Sequence, residues 1–534
     1  MSGIDDIKNI IAKIDINKDG KISKSELTQA ENKVPSVWLE KIKNLAQDKD
    51  ISSEKIIKGL AVESNPQNKP ITAFYDKRPD FEQKDWSDNI EKVYTKQEFQ
   101  ENITDKGIYD LSLQMAEPLN ADLDFSDALW LLQVSSFGSK TFANTPKEHL
   151  PEGYDPQKVI ELGKNPGLNT RAVHEMGYTG KGVKVAIMDW QLPLSDNYDS
   201  NITSYRAQDN AKTVPETMHG AAVTSILAGK ETGVIPDAEV YYFAEQSVNS
   251  PKNDDLIKSF KNVLELNKNL PENEKIRVIS LSGPLYGGEE AEKLAQQLNE
   301  SGVWVMSSPE FWENFGYLDK KDPMGNPDDF DNYNIHNPAT EGAKLYVNSG
   351  NRTVSHYSKA DDFRHDSKAS ASWAIPIAAG YYALACEADP SMTKEKFLKL
   401  AEETAQIREL ELPKPENPQG DYERHEGFVA LMLEEIRKDH PDFTYEDYEN
   451  MDEETFNSYN NKMFEAINTN SAEDFELLCK RKGMEVLQSK GAYDEYGNIK
   501  EIPERYLPKT EITQAKIIDI KALIERIETE KNKD

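Results

Sequence analysis

Three side chains far apart in the chain are of the types that together turn a serine into a nucleophile. Asp189 closes the apolar run KVAIMD at 184–189, and a lone carboxylate at the end of a buried strand is costly unless something uses it. His219 and Gly220 open the apolar stretch HGAAVTSILAG at 219–229, and Ser372 lies in SASWAIP, 370–376, at the start of another apolar helix. Taken singly, each has a plain structural use: Asp189 and Ser372 as helix caps, His219 as a packing residue. Taken together they form a set. An aspartate orients a histidine, the histidine takes the proton from a serine, and a helix N-terminus adds backbone donors near the reacting oxygen.

The surrounding residues carry a resemblance to the catalytic domain of the subtilisin-like serine proteases, the subtilases. GYTGKGVKVAIMD resembles the family's stretch ending in the catalytic Asp, HGAAVTSILAG followed by GVIPDAEVYYF resembles its histidine helix, and SASWAIPIAAGYYALAC resembles its nucleophile helix. The order Asp, His, Ser and the separations of 30 and 153 residues fit the family. The resemblance implies Asp189, His219 and Ser372 as the triad, with Pro376 four residues beyond Ser372 selecting that serine over Ser370. It also implies a substrate-binding edge at Ser282 and Gly283 within VISLSGP. Other positions depart from the family. Trp190 and Gln191 follow the Asp, Ala221 and Ala222 follow His-Gly, and Ser370 and Ala371 precede the Ser. At the oxyanion slot after GVWV, Glu310 or Phe311 stands where the family has Asn, with Asn314 a few residues late as the candidate donor. The resemblance implies a serine endopeptidase acting on protein or peptide substrates. The alternative is a subtilase-fold binding or scaffold protein, dependent on calcium, with a weak or lost activity.

The N-terminus holds a second constellation. Residues 15–26 read DINKDGKISKSE. Calcium takes six to eight oxygens, and Asp15, Asn17 and Asp19 offer side-chain oxygens, Lys21 its carbonyl, Ser23 a water-mediated contact and Glu26 both carboxylate oxygens. Gly20 permits the sharp turn. The stretch resembles an EF-hand loop, which implies Ca2+ as ligand. EF-hands pair, and AQDKDISSEKIIKGL at 46–60 is read as an ion-free mate, with Ile51 pairing Ile22. A third look-alike at 87–98 has only Glu98 of the ligand set and is set aside.

These residues need a scaffold. Strand-like runs at 184–189, 239–244, 277–282 and 303–308 alternate with helical runs at 219–229, 254–269 and 289–301. That rhythm predicts an α/β fold, a doubly wound parallel sheet with helices on both faces. Four regions are expected: a small α-helical EF-hand module over 1–60, a linker or candidate pro-segment over 61–150, the subtilase-like domain over 155–405, and an acidic, mostly helical extension over 406–534. The 534 residues carry 63 basic and 95 acidic side chains, a net charge of −32. Such a field repels nucleic acid and anionic membranes, excluding both as partners, and suits cations. No apolar run approaches the ~18 residues of a membrane span. Two cysteines without a CxxC motif imply no disulfide framework. The first residues lack a basic and apolar leader, so a cytoplasmic location is expected. Secretion with a leader removed is the alternative, and one to which a loop suited to millimolar calcium leans. His336, His356 and His365 have no motif around them and are expected at the surface or in loops.

Overall fold

The computed structural model describes residues 11–17, 21–30, 34, 42–43, 51–52, 71–76, 78, 111, 118–119 and 121–534, apart from 214–217, 247–253, 336–341, 358, 368–369, 412–417, 468–471, 494–498, 504–511 and 533–534. At the N-terminus, β1 (Lys21–Ile22) leads into α1 (Lys24–Gln29) and pairs antiparallel with β2 (Ile51–Ser52), Ile22 opposite Ile51 as the sequence suggests. Asp19, Gly20 and Glu98 lie outside the described residues.

Two compact units follow from the chain's contacts, residues 1–410 with 513–534, and residues 411–512. The first is built on a five-stranded sheet. Its strands are β4 (Lys184–Asp189), β5 (Ile202–Ala207), β6 (Glu239–Ala244), β7 (Ile276–Leu281) and β8 (Trp304–Met306). They lie in the order β5-β6-β4-β7-β8, every pair parallel. Side chains alternate across the sheet. Val185, Ile187, Val240 and Tyr242 enter one core with α5 (Met218–Ala228) and α9 (Ala371–Ala388). Ala186, Met188, Tyr241 and Phe243 enter the other with α6 (Asp255–Asn269) and α7 (Gly288–Glu300). Both faces are covered, which is why the strands read as unbroken apolar runs. The chain leaves β4 toward one side and returns to the other at β7, so the C-terminal end of β4 is a topological switch point, where open parallel sheets place their sites.

Two expectations about extent change. Part of 61–150 belongs to the first unit. Residues 74–76 run parallel to β5, with Tyr75 opposite Tyr205, the Tyr205 N–H donating to Phe74 at 2.9 Å and the Asp76 N–H to Tyr205 at 2.9 Å. Farther on, β3 (Phe137–Gly138) pairs with β13 (Phe363–Asp366), which also pairs with β12 (Arg352–Ser355), and Phe125, Leu132 and Phe137 are buried in a small core. The C-terminal extension is also divided. β15 (Ile512–Ile517) joins β11 (Leu345–Asn348), and α15 (Ile520–Lys531) buries Ile520, Leu523, Ile524 and Ile527 in the core shared by α5 and α9. The spacing of those four residues makes one apolar helix face that must be covered. The second unit is helical, with α11 (Pro418–Asp439), α13 (Glu453–Ile467) and α14 (Ala472–Ser489), and with Met432, Ile436, Tyr459 and Met463 at its centre. No described helix is long and apolar enough to cross a membrane.

Ile524→Ala should lower the unfolding free energy of the first unit by about 2–5 kcal/mol, the usual cost of emptying a fully buried isoleucine site. Denaturant titration of the full chain is the check, and a surface-like change below about 0.5 kcal/mol would contradict the placement of α15.

Candidate active site

The site is assembled from the ends of three elements of the first unit. Asp189 ends β4 and is buried. Its Oδ1 accepts the Trp190 backbone N–H at 2.8 Å, and His219 Nδ1 lies 2.9 Å from Oδ1 and 2.8 Å from Oδ2. A carboxylate accepts, so Nδ1 carries the proton and Nε2 is the ring's acceptor. Burial works against a charge on His219, but the Asp189 charge and hydrogen bond outweigh it, so the imidazole's pKa stands above its ordinary value. The ring is in contact with two indoles, its centroid 5.9 Å from that of Trp190 and 5.2 Å from that of Trp373.

Ser372 is the second residue of α9, half-exposed. The helix start around it is tied down from several sides. Ser370 is the N-cap, its Oγ accepting the Trp373 N–H at 3.3 Å. Ser349 Oγ accepts the Ser370 N–H at 2.9 Å and donates to the Ser370 carbonyl at 2.7 Å. Pro376 lies inside the helix and has no N–H for the carbonyl four residues before it, that of Ser372. Ser282 Oγ–H donates to that carbonyl instead, at 2.9 Å. Neither Ser372 Oγ nor its backbone N–H has a hydrogen-bond partner among the described residues. The structure thus brings Asp189 and His219 into direct contact and sets Trp373, the neighbour of Ser372, against the imidazole. A Ser372–His219 hydrogen bond is not formed.

The residues expected to complete the site are engaged elsewhere. Both hydrogens of the Asn314 amide are used, by the Glu310 carbonyl at 3.0 Å and Glu310 Oε1 at 3.0 Å, within the helix α8 (Ser308–Asn314). Glu310 is held in turn by Trp304 Nε1 at 2.9 Å and by Lys394 at 2.5 Å. Phe311 is fully buried. Gly283 donates its N–H to Leu281 and accepts from Ser308 N–H at 2.9 Å, so its backbone is paired internally.

The sequence reading did not assign roles to Asp366, Ser136 or Ser349. Asp366 Oδ2 accepts the Trp373 indole N–H at 3.0 Å, and its Oδ1 accepts from Ser136 Oγ at 3.2 Å. The signal available was Trp373 itself, an indole whose N–H needs an acceptor when buried. His356 lies in the loop after β12 but is buried, and His365 is neither in a loop nor exposed, because β13 pairs on both edges and carries it inside, where burial and nearby Lys320 and Arg364 push its pKa well down.

In the N-terminal loop, Glu26 and Asp15 are buried. Glu26 turns its carboxylate into the loop, Oε2 accepting from Ser23 N–H at 2.9 Å and Ser23 Oγ at 2.7 Å, and Oε1 from Asn17 N–H at 3.3 Å. Those bonds hold its pKa below the usual carboxylate value. The Ser23 and Glu26 bonds are the capping box of α1, and among the described residues, which leave out Asp19, no group of three or more acidic, histidine or cysteine side chains is placed to hold a metal ion.

No family model and no curated protein matches this chain. Among solved structures it is similar to one titled as proteases from Pseudoalteromonas arctica, at 16% identity and a TM-score of 0.33, covering 46% of this chain and 91% of that one. A likeness of that size fixes neither fold nor chemistry.

Because the folded pKa of His219 is raised, its stabilising contribution is complete below the unfolded value of about 6.5 and is lost as pH rises through the folded value. The stability advantage of the parent chain over His219→Gln should therefore be full below the unfolded value of about 6.5 and shrink as pH rises above it. Urea titrations of both proteins on either side of that value test the sign, and an advantage that grows with pH would contradict the Asp189 pairing.

Proposed function

We propose that the chain is a serine endopeptidase of the subtilisin-like type, with Asp189, His219 and Ser372 as its triad. One observation carries this reading: the buried Asp189 and the half-buried His219 form a hydrogen-bonded pair at the switch point of a parallel sheet, beside the first turn of a helix whose Ser372 hydroxyl has no hydrogen-bond partner among the described residues. Ser372 Oγ attacks the carbonyl carbon of the scissile peptide, and His219 Nε2 takes the hydroxyl proton. Asp189 holds the ring's tautomer and stabilises the imidazolium. His219 returns the proton to the leaving amine, an acyl-enzyme on Ser372 remains, and water activated by the same histidine hydrolyses it. The Ser372 N–H at the N-terminus of α9 stabilises the oxyanion. An extended substrate pairs beside Ser282 and Gly283 once Gly283 is released from Ser308.

A second reading has its own support. With Asn314 spent on Glu310 and Gly283 paired to Ser308, the same fold serves as a binding or scaffold protein with little turnover.

Labelling with a fluorophosphonate probe separates the two. The hydrolase reading expects labelling that disappears in Ser372→Ala and falls by roughly 10³-fold or more in His219→Ala. Absence of labelling, or labelling that survives in Ser372→Ala, favours the second reading.

The loop from Asp15 to Glu26, with Asn17, Asp19, Lys21 and Ser23, is proposed to hold Ca2+ and to order the N-terminal module; an effect on access to the cleft would follow from that ordering. Added calcium chloride should raise the midpoint of thermal unfolding, by an amount that grows with concentration. Glu26→Gln and Asp15→Asn should each reduce that response, and an equal response in both variants and the parent chain would refute the site.

A further inference from the structure

Trp190 directly follows Asp189 and Trp373 directly follows Ser372, and among the described residues these are the two aromatic rings in contact with His219. Neither is a loose surface indole. Trp373 is 4% exposed, its backbone N–H is bonded to the Ser370 cap, and its indole N–H is bonded to Asp366. Trp190 is fixed through its backbone, the N–H to Asp189 Oδ1 and the carbonyl to the Tyr242 hydroxyl. Tyr242 reaches that carbonyl because residue 220 is a glycine, where a Cβ would come within 2.6 Å of the tyrosine oxygen and 3.1 Å of the Trp190 carbonyl.

We propose that Trp190 and Trp373 are positioning residues for His219, holding its ring on Asp189 and favouring its protonated form. The ring planes are tilted by 45° and 39° to the imidazole, with centroids 5.9 and 5.2 Å away. A cation within about 6 Å of an indole is attracted by the negative face of the ring, and the attraction is larger when water is excluded. A neutral imidazole gains little from the same contact, so the pair of indoles acts on the difference between the two protonation states.

Several titratable groups stand around the pair among the described residues, Tyr286 near both Asp189 and Glu245 being one. Asp189 on β4 bonds the ring directly. The buried Glu245, just beyond β6, donates its backbone N–H to the Asp189 carbonyl at 2.8 Å. Asp366 stands behind Trp373. The Tyr242 phenol is held neutral by burial. No lysine or arginine pairs with Asp189 among the described residues. Asp189 supplies the charge that draws the proton, and the indoles set the environment in which it is held. That the clamped histidine is the general base rests on the hydrolase reading; that it is clamped does not.

The test is the titration of His219 in the full chain labelled with 15N-histidine, its signal assigned by its loss in His219→Gln. In Trp190→Leu and in Trp373→Leu the midpoint should fall by about half a unit or more, and Trp373→Phe should recover part of the loss. An unchanged midpoint in both leucine variants, with the other histidine signals in place, overturns the proposal. Should Trp373→Leu not fold, the half-exposed Trp190 decides alone. Fluorophosphonate labelling of the same samples keeps the two ideas apart. A falling midpoint without labelling of the parent chain sinks the hydrolase and leaves the clamp. Labelling with an unmoved midpoint does the reverse.

Discussion

A carboxylate that is 4% exposed at the end of an apolar strand must find a partner or lose its charge. Asp189 finds the His219 ring and one backbone N–H, and much of the first unit is arranged so that it can. β4 is central in the sheet because it is apolar on both faces, which brings its last residue to the switch point. The histidine arrives on a helix whose other residues are almost all buried, so the position of the imidazole is set by packing along α5. The hydrogen bond then settles the tautomer. Local sequence, packing and electrostatics agree at this point, and the agreement of levels is what makes the pair persuasive as a site.

The start of α9 shows how a helix terminus is made rigid. A proline six residues after the cap leaves one carbonyl without its N–H, and the Ser282 hydroxyl, just beyond β7, replaces it. The cap residue is itself gripped through both backbone groups by Ser349. Orphaned backbone groups of this kind normally find a side chain or water. Here four serines, 282, 349, 370 and 372, stand together, three with hydroxyls occupied in holding the helix start and the fourth, Ser372, with a hydroxyl that has no partner among the described residues. Under the hydrolase reading, a fixed serine position costs ordering entropy in advance, which is the usual source of orientation advantage in a displacement reaction.

Local pattern made some of this legible in the sequence. Four of the five sheet strands and three helices between 184 and 306 follow from apolar runs and helical spacing, because the side-chain period of each element is written in consecutive residues, whereas the edge strand β5, ITSYRA, carries too mixed a pattern to be legible in it. The Ile22–Ile51 pairing follows from loop arithmetic. What the sequence hid is non-local. Nothing near Tyr75 says that it lies beside Tyr205, and nothing near Ile524 says that its helix packs on α9, far away in sequence. Asp366 looked like one acid among many until Trp373 gave it a donor. Asn314 had the right chemistry and nearly the right register, but a glutamate one helical turn earlier offered both a carbonyl and a carboxylate to its amide.

That last contact bears on rate under the hydrolase reading. To serve an oxyanion, Asn314 would have to give up two hydrogen bonds to Glu310, and Glu310 is itself anchored by Lys394 and Trp304. The helix that carries them is also tied to the substrate edge through Ser308 and Gly283. Moving one group therefore disturbs the others. The less costly arrangement leaves the oxyanion to the Ser372 N–H and the helix terminus, without a side-chain donor. Loss of one such donor is worth about 2.7–4 kcal/mol of transition-state stabilisation. A hydrolase so built keeps a well-oriented base and nucleophile but gives up two to three powers of ten at the step where charge develops. It would attack a bound carbonyl slowly, and any selectivity would come from how long the substrate edge stays open.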